Sequence, residues 1–280
     1  RQIENKIVLH LSYIKFGPTI YGTFNNGRLE EFLNGLPPKP VDMCQNEILQ
    51  QNIAKKLADM HQLDMSSILG TNKQATIFTL INKWMKKVKT LTFTDKEQLK
   101  LYNSLPFDTI QGYIDQIEGK IQQQQQQLVD HNNNLDIVFA HNDLLSGNML
   151  YNDNDDNTTT LYFLDYEYGN YNYAAFDIAN HFCECCGFEC DFANLFPTNI
   201  QQKQFIQHYL LQKTKESVND EQIHQLYNVI QTFIPLVHIF WGVWGIIRGE
   251  TEDKQHFDYL NYGLLLLTEF MRIENIPFNT

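Results

Sequence analysis

Residues 141–148 read His-Asn-Asp-Leu-Leu-Ser-Gly-Asn, and beyond a polar loop residues 164–167 read Leu-Asp-Tyr-Glu. Moving a phosphoryl group onto a hydroxyl needs a carboxylate that orients the attacking oxygen and takes its proton. It also needs oxygen ligands for the magnesium ion that neutralises the phosphates. Asp143 followed five positions later by Asn148 has the D-x-x-x-x-N spacing of phosphotransfer catalytic loops, and Asp165 stands where the metal-binding aspartate of the following strand belongs. Aspartate and asparagine also favour turns, so either motif alone carries little. The two in order, flanked by apolar runs, single out Asp143 as the catalytic carboxylate and Asn148 and Asp165 as magnesium ligands.

Working outward, the apolar runs LDIVFA and LYFLDY lie on either side of NDNDDNTTT at 152–160, which reads as a hairpin loop between them. Upstream, Ile3, Ile7, Leu11 and Ile14 have helical spacing over 2–15, and Gly17-Pro18 ends that helix. Two short β-rich runs surround Asn25-Asn26-Gly27, the pattern of a tight hairpin. Pro37, Pro38 and Pro40 then break regular structure and mark a linker. Residues 46–62 are amphipathic, with Ile48, Ile53, Leu57 and Met60 spaced for one buried face. The glutamine and asparagine runs of IEGKIQQQQQQLVDHNNN read as a surface extension of a helix led by Ile110, Tyr113, Ile117 and Ile121. The rest is helix-rich and ends in the apolar run NVIQTFIPLVHIFWGVWGIIRG. Pro235, Gly242, Gly245 and His238 in that run suit a buried, kinked helix better than a membrane span. The pattern is α+β, a small β-containing part followed by a mostly helical one.

A chain of 280 residues is one large domain or two modest ones. Its 21 lysines and arginines face 33 aspartates and glutamates, a net charge of −12, which repels nucleic acid and anionic membrane and favours a cationic substrate. No stretch reaches the roughly 20 uninterrupted apolar residues of a membrane span, and RQIENKIVLH is not a signal peptide. A cytoplasmic protein without stable membrane insertion is expected. Cys44, Cys183, Cys185, Cys186 and Cys190 are an odd, clustered set and are expected as reduced thiols. CECCGFEC lacks the second ligand pair of a structural zinc site.

With these features in place, the sequence resembles the choline/ethanolamine kinases, which have the protein-kinase-like two-lobe fold. The matching residues are HNDLLSGN (141–148), LDYEYGNYNY (164–173), FDIANHFCE (176–184), FWGVW (240–244) and FDYLNY (257–262), and the likeness runs nearly end to end. HNDLL is closer to the ethanolamine kinases. The resemblance implies a truncated small N-terminal lobe in residues 1–34 and a mostly helical catalytic and substrate-binding lobe in 35–280. It implies ATP and Mg2+ as cofactors, a small-molecule substrate (ethanolamine or choline), no nucleic acid, and leaves room for a homodimer. Asp143 becomes the base, Asn148 and Asp165 the metal ligands, and Glu167 a support of the same site. Tyr168, Glu184, Trp241, Trp244, Phe257 and Tyr262 are implied to line the amino-alcohol pocket. Trp241 and Trp244 are three apart on one helical face, and indole faces attract an ammonium group by roughly 0.5–2 kcal/mol each, while Glu184 supplies the opposite charge. Asp177 is expected to cap its helix with His181 as its partner, and His141 to brace the catalytic loop.

Glu4 resembles the helix glutamate that pairs with a strand lysine in such kinases, and Glu31 and Leu33 the adenine-contacting hinge. The lysine and the phosphate-covering loop belong before Glu4, and only three residues stand there. Weak ATP binding and slow turnover are therefore expected, with an N-terminal extension restoring activity. Ethanolamine phosphorylation, the first step of phosphatidylethanolamine synthesis, is the reading the resemblance implies. Choline kinase and a catalytically impaired kinase-like binding protein are its rivals.

Overall fold

Gln2–Tyr13 forms helix α1, whose Ile7, Val8 and Leu11 are buried, while Ile3 and Ile14 are exposed. The expected apolar face is covered only in its middle. The computed structural model describes residues 2–127, 135–153, 159–251 and 257–277. The asparagine run at 132–134 and positions 154–158 of the polar insertion lie outside the described residues. Strands β1 (Ile20–Phe24) and β2 (Gly27–Glu30) pair antiparallel with Phe24 opposite Gly27, so the turn falls on Asn25-Asn26 as expected. The proline-rich linker has no helix or strand of its own, and Leu36 makes a single bridge to Tyr151.

Helix α2 (Asp42–Gln45) leads into α3 (Glu47–His61), capped by the Asn46 side chain, which accepts the Leu49 N–H at 3.1 Å. Leu49, Ile53, Leu57 and Met60 form its buried face. Ile48, assigned to that face from spacing, is exposed instead, because Leu49 takes the place four residues before Ile53. Helices α4 (Ser66–Leu69), α5 (Ile77–Val88), α6 (Lys96–Ser104) and α7 (Phe107–Gln127) follow. α7 carries the glutamine tract as helix, anchored by buried Ile110, Ile114, Ile117 and Ile121.

Four strands frame the loop at 141–148: β3 (Ile137–Ala140), β4 (Met149–Asp153), β5 (Thr159–Phe163) and β6 (Asn170–Tyr173). β4 and β5 form the hairpin across the polar insertion. The run at 135–140 is not its other arm, contrary to the reading from the sequence. β3 pairs antiparallel with β6, Ala140 opposite Asn170, because the 141–148 loop turns the chain into a separate strand at Met149.

The remaining elements are α8 (Ala174–Glu184), α9 (Phe192–Leu195), α10 (Asn199–Thr214), α11 (Asp220–Thr251) and α12 (Tyr259–Ile273). Side chains from α1 through α12 share one hydrophobic cluster. α11 is the one helix among the described residues long and apolar enough to cross a membrane, and 83% of its apolar window is buried in the protein. Its glycines are contact points with α12. An alanine Cβ at Gly263 would lie 2.6 Å from the Gly242 carbonyl oxygen and 2.8 Å from the Ile246 amide nitrogen. Both neighbours are backbone and cannot rotate away. Gly263→Ala is therefore expected to cost at least about 1–3 kcal/mol, the usual penalty of overpacking, read as a lowered melting temperature. An unchanged melting temperature would contradict this crossing.

The cysteine expectation is corrected at two positions. Cys44 on α2 and Cys185 just beyond α8 are disulfide-bonded, their Cα atoms 6.2 Å apart, while Cys183, Cys186 and Cys190 are free thiols. The pair is 141 residues apart in sequence, so only the tertiary fold brings it together. His181 offers a ring nitrogen close to both sulfurs.

Candidate active site

The β4–β5 register sets Met149 opposite Phe163, so the residues just outside the ladder, Asn148 and Leu164, are neighbours. The Leu164 N–H donates to the Asn148 carbonyl at 2.9 Å, which brings Asp165 beside the end of the 141–148 loop. Asn148 Nδ2 donates to the Asp143 carbonyl at 2.8 Å and to its carboxylate Oδ2 at 3.1 Å. The five-residue spacing thus closes a loop and leaves the Asn148 amide oxygen available as a ligand. His141 braces this loop as expected, its Nε2 donating to the Leu164 carbonyl at 2.9 Å. Asn142 and Asp165 have φ of 65° and 58°, the left-handed region that asparagine and aspartate tolerate better than most residues.

Asp177 does something other than cap α8. Its carboxylate accepts the backbone N–H groups of His141 at 2.8 Å and Asn142 at 2.7 Å, and Oδ2 also meets His61 Nε2 at 2.9 Å. It sits in the first turn of α8 but points at the loop. Burial pushes its pKa up, yet the hydrogen bonds and charge of His61 and the His141 amide outweigh this and hold it below the ordinary carboxylate value. His181 is not its partner and instead lies 3.3 Å from the Leu144 carbonyl through Nδ1. Both side chains hold the first half of the 141–148 loop.

Charge accumulates where these elements meet. Burial, then Glu184, together with Asp165 and Glu167, pushes the Asp143 carboxyl well above its usual pKa. Partial burial, Asp165 and Glu4 do the same for Glu167. Beside them a cavity of about 330 Å³ is lined by Glu4, Arg28, Glu30, Asn148, Asp165 and Tyr166, among others. Glu4 accepts a hydrogen bond from Arg28 at 3.0 Å across its mouth. Glu31 and Leu33 do not line this cavity, and the Glu31 carboxylate accepts the Thr19 N–H at 3.0 Å.

Behind Asp143 stands a wall of aromatic rings. Tyr168 meets Trp241 at 5.1 Å between ring centroids, Trp241 meets Trp244 at 5.4 Å, and Trp244 meets Tyr259 at 5.5 Å, all near edge-to-face. Phe257 joins Tyr259 at 4.9 Å and Tyr262 at 5.5 Å. The electrostatic influence of Glu184 and Asp143 reaches Tyr262, whose hydroxyl pKa is pushed well up, chiefly by burial. Glu184 itself is buried, and desolvation raises its pKa to about 7. Every residue implied for the amino-alcohol pocket is therefore in one connected region.

Several members were not singled out from the sequence. Asn180 accepts the Trp241 indole N–H at 2.6 Å and fixes that ring, and it stands four residues before Glu184 on the same face of α8. Tyr259 lay inside the matching FDYLNY segment. Phe188, in a segment read only for its cysteines, meets Phe257 and Tyr262 edge-on. Arg248 lies over Trp244 at 5.7 Å and Tyr259 at 5.6 Å, and Arg28 and His61 had no sequence signal.

A family model described as choline/ethanolamine kinase matches residues 1–271. A probable ethanolamine kinase of Arabidopsis thaliana is 32% identical over 282 residues, covering 100% of this chain and 70% of the plant protein. The solved structure of a Plasmodium vivax ethanolamine kinase superposes with a TM-score of 0.80 at 29% identity, covering 96% of this chain and 71% of that one. A choline kinase from Cryptosporidium parvum gives a TM-score of 0.75 at 26% identity, with coverage of 98% and 77%. The fold is accordingly protein-kinase-like and mostly helical. A catalytic loop closed by Asn148, an aspartate at the end of the next strand and a likeness that spans the matched segments agree: this chain belongs to the choline/ethanolamine kinase family.

Proposed function

We propose that the chain transfers the terminal phosphoryl group of ATP to the hydroxyl of ethanolamine, forming phosphoethanolamine and ADP, with residues 1–34 contributing to the nucleotide side of the cleft. The observation that carries this reading is the placement of Asp143 between two chemically different surroundings. On one side are Asn148, Asp165 and the cavity with Glu4 and Arg28; on the other are Glu184 and the aromatic wall. Asp143 accepts the hydroxyl proton as the substrate oxygen attacks the terminal phosphorus and the bond to ADP breaks.

The donor set suits a hard divalent cation. Oxygen ligands are what Mg2+ takes, and burial first, then the neighbouring carboxylates, raises the carboxyl pKa values of Asp143 and Glu167. Asn148 and Asp165 would hold the ion, which when bound neutralises the phosphate charge. His141 and Asp177 keep the loop in place, Asn180 orients Trp241, and the indole and phenol rings exclude water from the ammonium end.

Ethanolamine is favoured over choline by Glu184. A primary ammonium donates hydrogen bonds to a buried carboxylate, whereas a quaternary one has only charge and ring faces to use. Paired assays with ethanolamine and choline test this, and a higher kcat/KM for choline would overturn the preference. Because the Glu184 carboxyl ionises near pH 7 in the free protein, KM for the cation should rise as pH falls below about 7, by up to about tenfold per unit. In Glu184→Gln the KM should be high and this limb flat; an unaltered pH profile would remove Glu184 from the site.

A further inference from the structure

The cavity beside Asn148 and Asp165 takes most of its charge from carboxylates. Glu4, Glu30 and Asp165 line it, and among the described residues Arg28 is the one basic side chain that does. Asp165 and Glu4 also act on Glu167, behind burial, in raising its carboxyl pKa, and Asp165 and Glu167 act in the same way on Asp143. An anion that enters this space is repelled unless cations are placed to receive it. The Mg2+ proposed for Asn148 and Asp165 is one such cation. The guanidinium of Arg28 is the one the chain itself supplies to the lining.

Arg28 lies on β2, and three contacts fix its side chain. Nε donates to Glu30 at 2.9 Å, and Nη1 donates to Glu4 at 3.0 Å and to Asn5 at 3.4 Å. Nη2 has no hydrogen bond among the described residues. The side chain lines the cavity and is 27% exposed, so an occupant can reach it. Two carboxylates are more than one guanidinium needs for charge balance, and their effect is to hold the planar fork in place. A guanidinium already ordered loses little rotamer freedom when it takes a further ligand, and its fork of donors matches the paired oxygens of a phosphate. At about 330 Å³ the cavity is at the lower end of small-molecule sites, a size that suits the phosphate end of a nucleotide more than the whole of it.

We propose that Arg28 binds a phosphate of the nucleotide through Nη2, and that Glu4 competes with that phosphate for the guanidinium. This rests on the nucleotide half of the proposed function and not on the identity of the amino alcohol. The competition gives opposite signs to two substitutions that break the same ion pair. Arg28→Gln removes the phosphate ligand, whereas Glu4→Gln removes a charge that repels phosphate and weakens the hold on the guanidinium.

The test uses the full chain, with MgADP measured by calorimetry and adenosine, which has the base and sugar but no phosphate, by ligand-observed NMR. Arg28→Gln should weaken MgADP at least about tenfold, as loss of a hydrogen bond between charged groups does, and leave adenosine affinity unchanged. Glu4→Gln should tighten MgADP by about threefold, the scale of one part-exposed charge. If the ion pair served only to tie β2 to α1, both variants would weaken MgADP and adenosine alike, and that result would overturn the assignment. So would unchanged MgADP affinity in Arg28→Gln, or a parent chain that binds no MgADP. Weaker MgADP binding in Arg28→Gln without tightening in Glu4→Gln would overturn the competition. Binding of MgADP that depends on Arg28, with no phosphoryl transfer to ethanolamine, would count against the proposed substrate and leave Arg28 in its role.

Discussion

Asp143→Asn should lower kcat for phosphoryl transfer at least about a hundredfold, the usual effect of losing a general base, while the protein melts at the same temperature or higher. The two halves of this expectation come from one arrangement. Asp143 is buried, and Glu184, Asp165 and Glu167 all act to keep its carboxyl protonated, so the ionised form needed to take a proton is held against local repulsion. An asparagine amide retains an oxygen for Asn148 Nδ2, which now reaches Asp143 Oδ2 at 3.1 Å, and it adds no charge to the cluster. Removing a repelled carboxylate relieves strain in the free protein and removes the base in the reacting complex; sites adapted for catalysis commonly trade stability in this way. The measurement pairs steady-state rates with thermal melting. A fall in both would point to a damaged loop, and an unchanged rate would exclude Asp143 as the base. If the parent chain shows no transfer from ATP to either amino alcohol, the impaired-binder reading stands instead.

The site was legible where its chemistry is local in sequence. Asp143 and Asn148 are five residues apart, so the hydrogen bond that joins them follows from the loop they share, and Asp165 follows from the apolar strand that leads into it. Trp241 and Trp244 share a helix turn. What escaped was set by packing between distant elements. His61 reaches Asp177 across 116 positions, Cys44 reaches Cys185 across 141, and Arg28 reaches Glu4 between a strand and a helix. None of these partners has a spacing that identifies the other. Strand pairing shows the same limit. The run at 135–140 and the run at 161–166 are both recognisable as strands, but whether they pair depends on the loop between them, and β3 closes with β6 instead. The glycines of α11 read as interruptions, because a sequence shows the missing side chain and not α12, which fills its place. Glu31 and Leu33 were placed by resemblance alone, and the described cleft does not include them.

The second large effect is expected at Asp177, which touches no reacting atom. Three donors converge on its carboxylate: the amides of His141 and Asn142 and the His61 ring, whose Nδ1 meets the Tyr209 hydroxyl at 2.8 Å. Asparagine at 177 offers one oxygen. If that oxygen serves His141 and His61 at the Oδ2 position, the new NH2 group opposes the Asn142 N–H; turned round, it opposes the other two. Breaking a fully buried, charge-assisted cluster costs about 3–5 kcal/mol, which for a chain of this size lowers the melting temperature by roughly 10 °C. Since Asn142 and His141 immediately precede Asp143, the displaced loop should also lower kcat about a hundredfold, as small misplacements of reacting groups do. His61→Ala separates the two effects: it removes one donor and leaves both amide contacts, so stability should fall while kcat is largely kept. The pH dependence carries a signature of its own. A carboxyl whose folded pKa is depressed contributes stability that is present above its unfolded pKa and is lost as pH falls through the lower folded value. Asp177→Asn should therefore flatten the acid limb of the stability curve. A variant with parental melting temperature, rate and acid limb would show that the catalytic loop holds its shape without this contact.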